Sequence, residues 1–233
     1  MRIKIINPNT NLEMTNTIDA AARKYKRHET EIVTVSPEYG PPAIDNFYDE
    51  TMASINVVKE VEKGLKEGFD GFIIACFNDP ALQACRELSP VPVIGIAEAA
   101  MLLACTVAYK FSIVSMPKQG LAAIEELLRR YGLSSRCASI RLIDLPVLKI
   151  KDNMYNLKRK LIVEMRKAMI EDGAEAIILG CAGLSGLDKE FEKKLGVPVI
   201  DGVVAAVKIL EGLYEYGIKT SKWLTYQYPE RKI

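Results

Sequence analysis

Two apolar runs, each closing on a cysteine, constrain this chain more than any other feature. Phe72-Ile73-Ile74-Ala75-Cys76 and Ile177-Ile178-Leu179-Gly180-Cys181 are near copies, and the residues beyond them repeat as well. Val91-Pro92-Val93-Ile94-Gly95 begins 15 positions after the first cysteine; Val197-Pro198-Val199-Ile200-Asp201 begins 16 after the second. Short runs rich in β-branched residues read as buried strands, and apolar positions at helical spacing between them read as helices. Each half therefore has the order βαβαβαβ. Strands joined through helices lie parallel, with helices on both faces. The expected fold class is α/β: two pseudo-symmetric parallel-sheet halves, Rossmann-like or flavodoxin-like, with the active site in the cleft between them. Ligands of such sheets bind outside the carboxyl ends of the strands, which is where both cysteines fall.

Local signals fill in this outline. Thr10 and Glu13 fit a capping box that starts a helix near Asn11. Pro80 suits the first turn of a helix running to Leu88. The most membrane-like window, Val91 to Ala108, contains Pro92, Gly95 and Glu98 and divides into a strand and a helix of the core. Asp79 and Asp201 read as helix caps, and Glu98 as a first-turn carboxylate. The aromatic tail Trp223, Tyr226 and Tyr228 is suited to covering an apolar edge or a partner subunit.

Composition then removes whole classes of function. The 233 residues carry 31 basic and 30 acidic side chains, a balance without the dense basic face that nucleic acid requires. Residues 1–6 already read as a strand, leaving no room for a signal peptide. Five cysteines in no tight spacing do not form a disulfide framework, and a reducing cytoplasm is the expected setting. A single histidine, His28, lies in the polar string Lys26-Arg27-His28-Glu29-Thr30, so a multi-histidine metal site is excluded and no metal is expected. Acid–base chemistry must rest on Cys, Asp, Glu, Lys or Tyr.

A thiolate is a base as well as a nucleophile, and a helix N-terminus or other electropositive setting lowers its pKa from about 8.5. Cys76 precedes the helix start expected at Asp79-Pro80. Cys181 precedes Ala182-Gly183, where bare backbone brings N–H groups close to a ligand and can stabilise an enolate. Inverting a carbon centre takes a base on one face and an acid on the other. A thiolate opposite a thiol supplies both without a cofactor, and the roles exchange with the hand of the substrate. A cysteine beside an apolar strand is ordinarily core, and Cys85, Cys105 and Cys137 are read that way. For Cys76 and Cys181 the residues alone leave both readings open.

With these motifs in place, the chain resembles the hydantoin racemase family, within the aspartate/glutamate racemase superfamily. The likeness is carried by Ile6-Asn7-Pro8-Asn9-Thr10, Gly40-Pro41-Pro42-Ala43-Ile44-Asp45, Tyr48-Asp49-Glu50 and Cys76-Phe77-Asn78-Asp79-Pro80. Val93 to Ala100, Gly180-Cys181-Ala182-Gly183, Pro198 to Val203 and Lys219-Thr220-Ser221-Lys222 continue it. The resemblance implies a cofactor-independent racemase of 5-substituted hydantoins or a related cyclic ureide such as allantoin, with Cys76 and Cys181 as acid–base residues. Asn7, Pro42, Phe77, Asn78, Ser115, Met116, Ala182 and Gly183 are expected to hold the small-molecule substrate. It also implies a homo-oligomer, with residues 1–97 forming the first half, completed by 208–233, and residues 98–207 the second. Two positions depart from the family pattern: Asn78 stands where glycine is usual, and Ser115-Met116 where a pair of threonines is usual. Both alter the ring's surroundings. Rival readings are an aspartate- or glutamate-type racemase, a decarboxylase or isomerase on the same scaffold, and a ligand-binding module without catalysis.

Overall fold

The computed structural model describes residues 1–150 and 152–230, so the last three positions of the 208–233 segment lie outside the described residues. The first sequence repeat runs β1 (Arg2–Ile6), α1 (Leu12–Tyr25), β2 (Glu31–Val35), α2 (Phe47–Lys66), β3 (Gly71–Ile74), α3 (Leu82–Leu88), β4 (Val93–Gly95) and α4 (Ile96–Val107). The second runs β5 (Phe111–Ser115), α5 (Leu121–Arg130), β6 (Cys137–Leu142), α6 (Met154–Ile170), β7 (Ala176–Leu179), α7 (Asp188–Leu195), β8 (Val199–Asp201) and α8 (Gly202–Tyr216). The two sheets have the orders β2-β1-β3-β4 and β6-β5-β7-β8, and every pairing is parallel. The expected α/β class and its duplicated parallel sheets are therefore observed, with one strand order used twice.

The apolar window from Val91 to Ala108 folds as β4 followed by α4. Ile96, Ala97, Ala99, Ala100, Met101 and Ala104 of α4 are all buried, which accounts for its membrane-like composition. Among the described residues no helix is long and apolar enough to cross a membrane. The helices α4 and α8, matched in the repeat, pack against each other, α4 also resting on β7 and α8 on β3. Each thus covers the sheet of the other sequence repeat. Gly71 makes the second contact possible, because a Cβ there would lie 2.7 Å from Leu210 of α8.

The α4–α8 crossing has its own tight point. A Cβ on Gly202 would stand 2.6 Å from the carbonyl oxygen of Ile96, and backbone cannot yield as a side-chain tip can. Gly202→Ala is expected to cost about 1–3 kcal/mol, the usual range for overpacking, read as a lower midpoint in urea unfolding. An unchanged midpoint would mean that the helices separate without penalty.

Two local expectations are corrected. The cap of α1 is Asn11, whose side chain accepts from the Met14 N–H; the Thr10 N–H is committed to the Pro41 carbonyl at 3.1 Å. Asn is as good a cap as Thr, so the sequence signal was displaced by one residue. The helix after Cys76 begins at Leu82, not Pro80, because Asp79 and Ala81 take positive φ of 46° and 57° and hold the chain in a turn. Cys76 therefore has no helix N-terminus directly behind it. Beyond α8 the tail returns to the first half: Lys222 Nζ donates to the carbonyls of Arg86 and Glu87, and the Tyr226 hydroxyl to Gln83. Trp223 and Tyr228 remain exposed.

Candidate active site

The two thiols arrive in matched places for a matched reason. β3 and β7 are fully buried strands, each third in its sheet. One residue beyond each, the ladder makes a last bond: Ala75 N–H to the Ile6 carbonyl at 2.8 Å, and Gly180 N–H to the Val114 carbonyl at 2.9 Å. The next residue is the cysteine. Both cysteines line one cleft, and a concave site of this kind is where a small molecule binds.

Of the residues expected to hold a substrate, Phe77, Asn78, Ser115, Met116 and Ala182 also line this cleft. Asn78 turns its amide onto the Glu50 carboxylate at 2.7 Å, so its side chain is held in place. The Ser115 hydroxyl donates to the Gly180 carbonyl at 2.5 Å. Met116 presents a soft apolar wall beside Ala123, Ile124 and Val147. Asn7, Pro42 and Gly183 do not line the cleft. Asn7 lies behind it and donates to Asn9 Oδ1 at 3.0 Å and Thr15 Oγ1 at 2.9 Å, so it acts through Asn9, which does line the wall. Gly183 packs below Cys181, where a Cβ would meet Ile150 at 2.6 Å.

Sequence reasoning missed Asn9, Asp45, Asn46 and Gln119, the other polar groups of the lining. Asn9 and Asp45 belong to motifs already singled out, and their polarity beside Pro and Ile was the available signal. Gln119 had none, since it follows Pro117 in an ordinary helix-start sequence.

Burial dominates the electrostatics. It pushes the Cys181 thiol up to about 11 against backbone N–H groups of Gly183 and Leu184 that favour the thiolate, with the Asp45 charge adding to the rise. It pushes Cys76 up further still, against a single backbone N–H from Asn78, with Cys181, Glu50 and Asp79 adding smaller increments. Among the described residues each sulfur thus has backbone N–H donation but no cation as partner. Burial and then Asp49 raise the Asp45 carboxyl as well, and its Oδ1 is buried without a partner. Among the described residues no cluster of His, Cys, Asp or Glu could hold a metal ion.

Comparison with known proteins agrees with this geometry. The family model described as Asp/Glu/Hydantoin racemase matches residues 3–210. A hydantoin racemase of Pseudomonas sp. (strain NS671) is 46% identical over 232 residues, covering 100% of this chain and 93% of the relative. Allantoin racemase from Klebsiella pneumoniae superposes with a TM-score of 0.97 at 46% identity, covering 100% of this chain and 95% of that one. Allantoin racemase from Pseudomonas fluorescens gives a TM-score of 0.97 at 36% identity, with 100% and 99% covered. Repeated parallel sheets and full-length likeness agree, and the chain belongs to the Asp/Glu/Hydantoin racemase family.

Proposed function

We propose that this protein is a racemase of cyclic ureides, 5-substituted hydantoins and allantoin being the substrate class, with Cys76 and Cys181 as the acid–base pair. As an enzyme it is an isomerase. The observation that carries the reading is the charge of the cleft. No Lys, Arg or His stands among its described lining residues, and Asp45 is its one carboxylate. An α-amino-acid substrate brings a carboxylate, which a buried site must meet with cations or a dense set of donors. A cyclic ureide is neutral and rich in N–H groups, and the unpartnered Asp45 Oδ1 is an acceptor for one of them. The names of the full-length relatives point the same way.

The chemistry rests on two opposed sulfurs. The ring carbon bearing the 5-substituent is acidified by the neighbouring carbonyl. A thiolate on one face removes its proton and becomes a thiol; the enolate is planar; the thiol on the other face returns a proton and becomes the thiolate. For the opposite hand the roles reverse. Backbone N–H groups of Asn78, Gly183 and Leu184 hold whichever sulfur is ionised, so no cofactor is required. Phe77, Ala182, Ser115 and Met116 frame the ring, while Asn7 and Gly183 support that frame from behind. The same reading takes residues 1–97 with 208–233 as one half and 98–207 as the other, in a homo-oligomer of the reducing cytoplasm.

Proton exchange and optical rotation, followed in deuterated water on each hand of 5-benzylhydantoin, 5-isopropylhydantoin, allantoin, aspartate and glutamate, test the reading. A ureide is expected to exchange and racemise while both amino acids stay inert. Turnover of aspartate or glutamate alone would overturn the substrate class. Asp45→Asn is expected to lower kcat/KM on the ureide by about tenfold, the loss of one hydrogen bond to a charged group, and steady-state kinetics check it.

A further inference from the structure

Asp79 ties the Cys76 turn to both halves of the molecule. It is buried at 1% exposure with φ of 46°, a left-handed conformation that a residue with a side chain adopts only where its surroundings hold it. Its N–H closes the turn on the Cys76 carbonyl at 3.0 Å. Its carboxylate accepts the Ala97 N–H at 3.0 Å and the Glu98 N–H at 2.9 Å, in the first turn of α4. It accepts the Tyr131 hydroxyl at 2.6 Å. Space for this is left by Gly95, where a Cβ would lie 2.2 Å from the Asp79 carboxyl carbon.

Asp201 does the same work in the second half from the opposite end. It occupies the place matched to Gly95, caps α8 through the Val203 N–H at 2.8 Å, and accepts Ser185 Oγ at 3.1 Å and the Gly186 N–H at 2.8 Å from the turn after Cys181. One carboxylate thus anchors each thiol turn to the helix ahead of it. Only on the Cys76 side, among the described residues, does that carboxylate take a bond from the other half. Tyr131 closes α5, and the chain entering that helix, Gln119 to Ile124, forms part of the cleft wall.

We infer that Asp79 and Tyr131 are positioning residues for Cys76: their hydrogen bond across the halves holds that sulfur in register with the wall that α5 supplies. Neither touches the cleft. The inference rests on the reading of Cys76 as one of two acid–base residues, but its effect on the thiol itself is separable from turnover. Losing the bond frees the Cys76 turn and leaves the Cys181 turn, anchored by Asp201, as it was. The matching change on the other side is Ser185→Ala, which loosens only the Cys181 turn.

The test is alkylation by iodoacetamide at about pH 8.5, near the ordinary thiol pKa, with each cysteine followed separately by peptide mass spectrometry. In Tyr131→Phe, Cys76 is expected to react roughly fivefold faster and Cys181 to stay within about twofold, the scale of one lost hydrogen bond. Ser185→Ala is expected to show the reverse. On the ureide, Tyr131→Phe is expected to lower kcat about tenfold with KM within about twofold, as when an interaction that serves the transition state alone is lost. Asp79→Asn, which keeps the volume but cannot accept all three bonds, is expected to reproduce the Cys76 effect if Tyr131→Phe folds poorly. Equal acceleration of both thiols, no change in either, or an unchanged kcat beside an altered Cys76 would overturn the inference. Alkylation needs no substrate, so a wild type inert on every ureide would sink the proposed function and leave the thiol-specific result standing on its own.

Discussion

Replacing either Cys76 or Cys181 with serine is expected to lower racemisation by at least about a thousandfold, within the range for loss of a positioned acid or base, while proton exchange survives with one hand only. A hydroxyl is far less acidic than a thiol, so the serine face neither removes the proton nor returns it at a useful rate. The remaining thiolate still reaches the ring carbon from its own side and trades its proton with solvent. One hand then exchanges without inverting, and the hand lost in Cys76→Ser should be the hand kept in Cys181→Ser. NMR in deuterated water beside polarimetry separates the two processes. Identical behaviour of the mutants toward both hands would mean that the thiols do not serve opposite faces. Retention of racemisation in either single mutant would remove the pair from the chemistry.

The second large effect is on pH. Burial raises both thiols, Cys181 to about 11 and Cys76 beyond it. Raised thiol pKa values leave only a small thiolate fraction at neutral pH, and that fraction grows tenfold per unit until the lower pKa is reached. The kcat/KM for the ureide is therefore expected to rise by about tenfold per pH unit from about 7 to about 10, without a bend near neutrality. Cys181, with two backbone N–H donors against one for Cys76, is the sulfur expected to ionise first. Its charge then raises Cys76 further, which keeps the second sulfur protonated. That mixed state, one thiolate and one thiol, is the one a two-base inversion needs. A bell centred near pH 7 would show that bound substrate or another group sets the ionisation instead.

The repeat made most of the fold legible. Four-residue apolar runs before each cysteine read as buried strands, and the second copy pointed to their equivalence and to parallel sheets. Placement of Phe77, Asn78 and Ala182 followed, since they are chain neighbours of the thiols. What the repeat hid was every link between residues far apart in sequence. Asp79 looks like a cap for the helix just ahead of it, yet its carboxylate spans to Ala97 and Glu98 and takes a hydroxyl from Tyr131. Gly95 and Asp201 look like a simple mismatch in an alignment of the halves. In space the two halves place a carboxylate at the same junction from different ends of the chain, and no local propensity encodes that. Asp45 was passed over because an unpartnered carboxylate oxygen is a property of the closed cleft, and in the unfolded chain every carboxylate has water.

The exchange of covering helices between the two sequence repeats bears on the order in which the molecule is made. A growing chain folds from its N-terminal end as units become complete. The sheet β2-β1-β3-β4 is synthesised first, yet α8, which rests on β3, is synthesised after every strand of the second sheet. Phe72, Ile73 and the rest of β3 are fully buried in the finished protein, so during synthesis one face of that strand waits uncovered while more than half the chain is added. The second sheet has no such delay, because α4 is already present when β7 emerges. The sheet that is translated first thus takes its covering helix from the part of the chain that is translated last.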